Sequence, residues 1–168
     1  MWANKKIVGH NYSPFYEKHL KKYKKKKNLN ILEIGSLHGS SAAAIYFYFL
    51  EPKIVCADVS PFFIRYFSKN VRPIYIDTKS AKVIKKFIQY LNLKFDIIID
   101  DGSHNIKDQM ISLKCLFPHL NERGTYIIED LTQFKIVPNL NPDNEKKTTI
   151  DLLWSLKKKK EFFFLLFY

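Results

Sequence analysis

Short hydrophobic runs alternate with longer amphipathic stretches along most of the chain. The runs have strand length and predict five strands, over 30–35, 53–58, 72–77, 94–101 and 124–130. The intervals between them are long enough for crossover helices, over 39–50, 61–70, 79–92 and 105–120. This alternation is typical of βαβ units, and we therefore expect an α/β fold with a Rossmann-like, doubly wound, mostly parallel sheet.

Helical spacing also precedes and follows the predicted sheet. Residues 13–27 predict a helix with Ser13 as its cap and Pro14 at its first position. After the last strand, 139–147 reads as an exposed loop, 148–156 as a helix and 161–168 as one strand. We expect a single domain of residues 29–168, preceded by a basic, aromatic helical segment over residues 1–28.

The chain is strongly basic. Its 168 residues carry 28 Lys and Arg against 16 Asp and Glu, a net charge of +12. This surplus suits nucleic acid, an anionic membrane or an acidic ligand, but the lysines are clustered at 21–27 and 157–160, where solvated helix ends explain them. The longest apolar stretches are shorter than the roughly 20 residues of a membrane span. Cys56 and Cys115 lack metal-type spacing, so we expect buried, reduced thiols and a cytoplasmic location.

Acidic residues follow the predicted strands at their carboxyl ends. They are Glu33, Asp58, Asp77, the pair Asp100–Asp101 and the pair Glu129–Asp130. Ligands of open α/β sheets bind at this edge, where the strand order reverses. Carboxylates collected there repel one another unless a cation, or a ligand rich in hydroxyl and amino groups, lies among them.

The loop after the first strand, "EIGSLHGSS", predicts the kind of ligand. Gly35 allows a tight turn out of the strand, and Gly39 allows a ligand to approach the start of the next helix. Asp58, at the end of the second strand, is placed to accept hydrogen bonds from ribose hydroxyls. Leu37 replaces the middle glycine of a typical dinucleotide loop. A nucleoside without phosphates therefore fits this loop better than a pyrophosphate.

Four segments resemble a known family. "HNYSPFYEKHL", "LEIGSLHGSS", "IIIDDGSHNIKDQ" and "GTYIIEDL" are similar to the class I S-adenosylmethionine-dependent methyltransferases, in particular the metal-dependent macrolide-sugar O-methyltransferases and the cephalosporin-hydroxylase-like group. The resemblance covers about residues 10–131. It implies a Mg²⁺ site at Asp101, Glu129 and Asp130, with His104 as the catalytic base. It also implies S-adenosyl-L-methionine as cofactor, with candidate binding residues Glu33, Gly35, Ser36, Gly39, Ser40, Asp58, Asp77 and Asp100.

The spacing of these acids is chemically consistent with a metal site. Two neighbouring parallel strands, ending at Asp101 and at Glu129–Asp130, can direct oxygen ligands to one point, which suits Mg²⁺ or Mn²⁺. A metal lowers the pKa of a bound hydroxyl, and an imidazole at the same edge can remove the proton. The role of Asp100 stays open between orienting the loop and approaching the sulfonium. His10, Tyr12 and Tyr16 either help to close over the cofactor or simply pack an N-terminal helix.

The expected activity is methyl transfer to a hydroxyl of a small molecule such as a sugar. One feature departs from the family pattern, because only one candidate strand follows Asp130 where a complete sheet ends in an antiparallel hairpin. The exposed apolar edge that this would leave favours a homo-oligomer. Two alternatives remain open: a nucleic-acid-binding or RNA-modifying protein, and a catalytically silent relative that only binds cofactor or partner proteins.

Overall fold

The computed structural model describes residues 12–131 and 138–156, and its centre is a parallel sheet of five strands. The strands are β1 (Asn30–Ile34), β2 (Lys53–Asp58), β3 (Val71–Tyr75), β4 (Phe95–Asp100) and β5 (Leu120–Ile128). Their spatial order is β3-β2-β1-β4-β5, and every neighbouring pair is parallel. The predicted α/β class and all five predicted strands are therefore confirmed. The order reverses at β1, which places the expected ligand crevice at the carboxyl ends of β1 and β4.

Five α-helices surround this sheet in the described part of the chain. They are α1 (Ser13–Leu20), α2 (Ser40–Tyr48), α3 (Ala81–Leu91), α4 (Ile106–Leu116) and α5 (Thr149–Leu156). Short 3₁₀ turns occur at Lys21–Tyr23, Pro61–Phe63, Phe117–His119 and Pro138–Leu140. None of the described helices is long and apolar enough to cross a membrane. The expected strand over 161–168 lies outside the described residues.

The two faces of the sheet carry separate hydrophobic clusters. Alternate residues of β1 face opposite sides, since Leu32 and Ile34 belong to one cluster and Ile31 to the other. Helices α3, α4 and α5 cover the first face, while α1 and α2 cover the second. Strands buried on both faces read as continuous hydrophobic runs, as "DIIID" in β4 does.

Four sequence predictions are wrong in detail. The interval 61–70 forms only the 3₁₀ turn Pro61–Phe63, not a crossover helix. The predicted helix over 13–27 ends at Leu20 and continues only as the turn Lys21–Tyr23. Its cap is Tyr12, without a side-chain capping bond, and Ser13 is already helical. Cys56 is buried as expected, whereas Cys115 is half-buried.

Candidate functional site

The sheet brings the strand-end acids of β1, β2, β4 and β5 to one edge. The hydrogen-bond ladder continues past the strands, since Asp101 N donates to Ile34 O at 3.0 Å and Glu129 N donates to Asp100 O at 2.9 Å. These bonds hold the turns after β4 and β5 side by side. The predicted meeting of Asp101 with the Glu129–Asp130 pair is therefore a direct result of the strand register.

Gly35 is the closest point between the first loop and the turn after β4. Its φ is +81°, and a Cβ placed there would lie 1.9 Å from the backbone oxygen of Asp101. Any larger residue would push the two loops apart, because backbone atoms cannot yield as a flexible side chain can. The glycine thus does more than turn the chain, since it allows Asp101 to lie against the end of β1.

A cavity of about 270 Å³ opens at this edge of the sheet. Its walls come from the ends of β1 and β2 and from the loops after β3 and β4. The lining residues are Ile34, Gly35, Asp58, Val59, Ile76, Asp77, Thr78, Lys79, Gly102 and Ser103. The structure therefore places the candidate cofactor residues Gly35, Asp58 and Asp77 on one wall, at the position expected for a nucleoside.

The two acids on this wall are held by backbone amides. Asp58 accepts bonds from Leu37 N at 2.9 Å and Ser60 N at 2.8 Å, one on each carboxylate oxygen. Asp77 accepts a bond from Lys79 N at 3.0 Å. Each oxygen keeps a second lone pair, so both carboxylates can still accept bonds from a ligand. Leu37 adopts a φ of +43°, which aims its amide at Asp58.

Other candidate cofactor residues lie outside the cavity wall. Glu33 and Asp100 are buried at 2% and 3% exposure. Burial raises the pKa of Glu33, while Ser41 and Ser36 partly oppose the rise. Burial likewise raises the pKa of Asp100 to about 7, against the opposing effect of the Gly102 amide.

The serines and the second glycine of the first loop have mainly local contacts. Ser36 is buried, and its hydroxyl donates to Glu33 O at 3.2 Å. Gly39 caps α2 with a φ of +77°, and Ser40 is the exposed first residue of that helix. A Cβ on Gly39 would lie 3.1 Å from the Ile64 side chain, so close packing of the loop after β2 also requires this glycine.

Asp101, His104 and Asp130 form a compact group beside the cavity. One ligand atom from each lies within 4.8 Å of the others. His104 Nε2 is 3.8 Å from Asp101 Oδ1 and 3.9 Å from Asp130 Oδ2. His104 and Asp130 have φ values of +58° and +49°, in the left-handed region that is uncommon for non-glycine residues, although Asp and His occur there more often than most. The turns after β4 and β5 thus hold all three side chains towards one point.

Glu129 is not a member of this compact group, but its carboxylate and that of Asp130 each accept a bond from a tyrosine of α1. The Tyr16 hydroxyl of α1 donates to Glu129 Oε1, and the Tyr12 hydroxyl donates to Asp130 Oδ1 at 2.6 Å. Burial, together with the neighbouring carboxylates, raises the pKa of both phenols well above its usual range. Both tyrosines therefore stay protonated and act as donors at physiological pH.

The electrostatics of this edge favour a cation. Burial, then the charges of Glu129 and Asp130, raise the pKa of Asp101 to about 8. Burial also raises the pKa of Glu129, although the Tyr16 bond opposes it. Such a set of hard oxygen donors fits a divalent cation, because the cation removes the repulsion that opposes their ionisation.

The basic residues of the sheet collect at the opposite edge. A second cavity, of about 400 Å³, lies at the amino ends of β2 and β3 and is lined in part by Lys53, Lys69 and Arg72. Because those charges lie at the far end of the strands, they do not neutralise Asp101, Glu129 and Asp130.

Sequence reasoning missed the residues that support the turn after β5. Gln109 of α4 is buried and lies 3.4 Å from both the Glu129 and Asp130 carbonyl oxygens through Nε2. Its Oε1 accepts a bond from the Thr149 hydroxyl of α5 at 3.1 Å. A lone glutamine in an amphipathic helix carries no sequence signal for such a role.

Known proteins with the same fold include sugar methyltransferases. The chain is 29% identical over 129 residues to mycinamicin VI 2''-O-methyltransferase of Micromonospora griseorubida, covering 73% of this chain and 32% of that protein. A tetracenomycin-C 2'-O-methyltransferase of Streptomyces olivaceus is 26% identical, over 73% of this chain and 33% of that protein. The solved MycE methyltransferase, in complex with Mg and SAH, superimposes with a TM-score of 0.76 at 26% identity, over 94% of this chain and 42% of that chain.

The chain is similar in sequence and in fold to the class I macrolide-sugar O-methyltransferases. No protein-family model matches it. It spans about a third of the length of these curated relatives. The resemblance noted in the sequence is thus confirmed, and the described residues share the fold of the MycE methyltransferase.

Proposed function

We propose that this chain carries the active site of an S-adenosylmethionine- and divalent-metal-dependent O-methyltransferase. The acceptor would be a hydroxyl group of a sugar or another small molecule. The observation that carries the proposal is the position of the acidic cluster, directly beside a nucleoside-sized cavity at the switch point of the sheet. The similarity to mycinamicin VI 2''-O-methyltransferase supports the same reaction class.

The cofactor would occupy the 270 Å³ cavity. Asp58, at the end of β2, would accept hydrogen bonds from the ribose hydroxyls, and Asp77 would lie near the adenine. Gly35 and Gly102 form a wall without side chains, where the methionine portion can approach the backbone. Glu33 and Asp100 lie behind this wall and would shape it from within.

Asp101, Glu129 and Asp130 would hold Mg²⁺ or Mn²⁺. When bound, the cation supplies Lewis-acid activation of the acceptor hydroxyl. The chain's own residues do the rest: the cavity orients the cofactor, and the turns after β4 and β5 place the acceptor beside it. Positioning of this kind is a large part of catalysis in a bimolecular transfer.

His104 would act as the base. The acceptor oxygen attacks the methyl carbon, the carbon–sulfur bond breaks, and its electron pair stays on sulfur to give S-adenosylhomocysteine. The hydroxyl proton passes to Nε2 of His104, the atom that lies between Asp101 and Asp130.

The proposal is tested by binding and turnover on the same preparation. Calorimetry should show that S-adenosylmethionine binds, and Mn²⁺ should bind in its presence. Radiolabelled cofactor, offered with a panel of glycosylated acceptors, should transfer its methyl group only when metal is added. Asp101→Ala should abolish metal binding and transfer but leave cofactor binding intact, whereas Asp143→Ala, a change at an exposed residue paired with Lys107, should alter none of them. Cofactor binding without any metal binding would instead identify a catalytically silent relative.

A further inference from the structure

Two tyrosines of the first helix bind the two carboxylates that follow β5. Tyr12 caps α1 and Tyr16 lies one turn later, so both side chains project from the same face of the helix. The Tyr12 hydroxyl donates to Asp130 and the Tyr16 hydroxyl to Glu129. The two adjacent carboxylates of this turn are thus bound by two tyrosines that lie one helical turn apart on the same face of α1.

Helix α1 is fixed to the body of the domain, which makes these phenols preorganised donors. Leu20 and Tyr23 are buried in the cluster between α1, α2 and the sheet. The Tyr23 hydroxyl lies 2.8 Å from Arg123 O and 2.9 Å from Thr125 Oγ1 of β5. Glu17 accepts a bond from Tyr48 of α2 at 2.6 Å. The helix therefore contacts both the neighbouring helix and the strand that leads to Glu129.

A phenol is a suitable partner for a metal-binding carboxylate. Its O–H orients one carboxylate oxygen by a hydrogen bond and adds no positive charge, whereas a lysine in the same place would neutralise the site and compete with a cation. The other oxygen of each carboxylate stays available. On Asp130, for example, Tyr12 binds Oδ1 while Oδ2 faces His104.

We propose that Tyr12 and Tyr16 are positioning residues, which orient Asp130 and Glu129 for a divalent cation and so couple the metal centre to the docking of α1. This inference rests on the proposed function, since it assumes that these carboxylates hold the metal. Residues that orient metal ligands from the outer shell typically contribute a factor of about 10 to 100 in metal affinity. The structure assigns that role to α1, an element that precedes the sheet.

The test measures Mn²⁺ affinity directly, by the electron paramagnetic resonance signal of free Mn²⁺ in the presence of S-adenosylhomocysteine. Tyr16→Phe and Tyr12→Phe should each raise the dissociation constant for Mn²⁺ by about 10- to 100-fold. Cofactor affinity and melting temperature should change little, because the phenylalanine ring keeps the packing. Tyr90→Phe is the control, since it removes the hydroxyl of an exposed tyrosine of α3 that accepts a bond from Arg72, away from both α1 and the acidic edge.

Each outcome decides between distinct explanations. Unchanged Mn²⁺ affinity in both variants, with tight binding by the unmodified chain, would overturn the positioning role and leave the proposed function standing. Absence of Mn²⁺ binding by the unmodified chain would overturn both. If Mn²⁺ affinity, cofactor affinity and melting temperature all fell together in both variants, the tyrosines would be structural and the inference would be wrong. Selective loss of Mn²⁺ affinity, absent from Tyr90→Phe, supports it.

Discussion

Metal affinity should depend steeply on pH because Asp101 holds a proton near neutrality. Burial and the charges of Glu129 and Asp130 raise its pKa to about 8. A divalent cation binds the carboxylate form, so below pH 8 it has to displace this proton. One displaced proton makes the dissociation constant for Mn²⁺ fall about tenfold for each pH unit between about pH 6 and 7, and level off above about pH 8.

The assay is a Mn²⁺ titration at fixed ionic strength over this pH range, with S-adenosylhomocysteine present. Asp101→Asn cannot ionise, and it should bind Mn²⁺ weakly and with a flatter pH profile. Asp143→Asn should keep the profile of the unmodified chain, because Asp143 is exposed and pairs with Lys107 at 2.7 Å. Tight Mn²⁺ binding that is constant from pH 6 to 8 would refute the reasoning, since it would mean that no carboxyl group with a raised pKa binds the metal.

The same shift determines how the stability of the metal-free protein changes with pH. A carboxyl whose pKa is higher in the folded than in the unfolded state stabilises the fold below its unfolded pKa, and this contribution is lost as the pH rises through the folded value. For the Asp101 pKa the window runs from the ordinary aspartate value of 3.8 to about 8. Asp100 and Glu129 shift in the same direction. The metal-free melting temperature should therefore fall towards pH 8, and added Mn²⁺ should reverse that fall.

Three substitutions test other parts of the site. His104→Ala should lower the rate of methyl transfer by about 10²- to 10⁴-fold while keeping cofactor affinity, and a variant with the normal rate would exclude His104 as the base. Asp58→Ala should weaken cofactor binding by about 1.5 to 3 kcal/mol for each ribose hydrogen bond lost, which calorimetry measures, and unchanged affinity would remove Asp58 from the site. Gly35→Ala should destabilise the fold by at least the roughly 1 to 3 kcal/mol of a left-handed backbone and displace Asp101, and an unchanged melting temperature would contradict the close approach of the two loops.

The strands could be predicted because burial on both faces leaves a local signature. In β2 and β4 an uninterrupted apolar run, IVCA in one and III in the other, leads directly to the acid that ends the strand, so the run predicts both the strand and the position of its acid. The segment 61–70 gave the opposite result. Its length suggested a crossover helix, yet Phe62, Phe63 and Phe67 are exposed, and within 61–70 only Ile64 is buried, close to Gly39. Composition alone does not distinguish an apolar face that packs from one that meets solvent.

The acids and the tyrosines of the site differ in how much of their position the local sequence determines. Parallel strands bring their carboxyl ends to one edge whatever the details of packing, so Asp101, Glu129 and Asp130 could be placed together from their strand ends. Tyr12 and Tyr16 reach the same edge only because α1 packs across a sheet whose last strand is more than 100 residues away. In the sequence, their spacing of four residues is equally typical of a helix face that simply packs against the core. A role at the acidic edge is distinguished from simple helix packing by the two carboxylates that accept bonds from these hydroxyls. Those contacts arise from the tertiary packing of α1 beside the turn after β5, which no single segment of the sequence reveals.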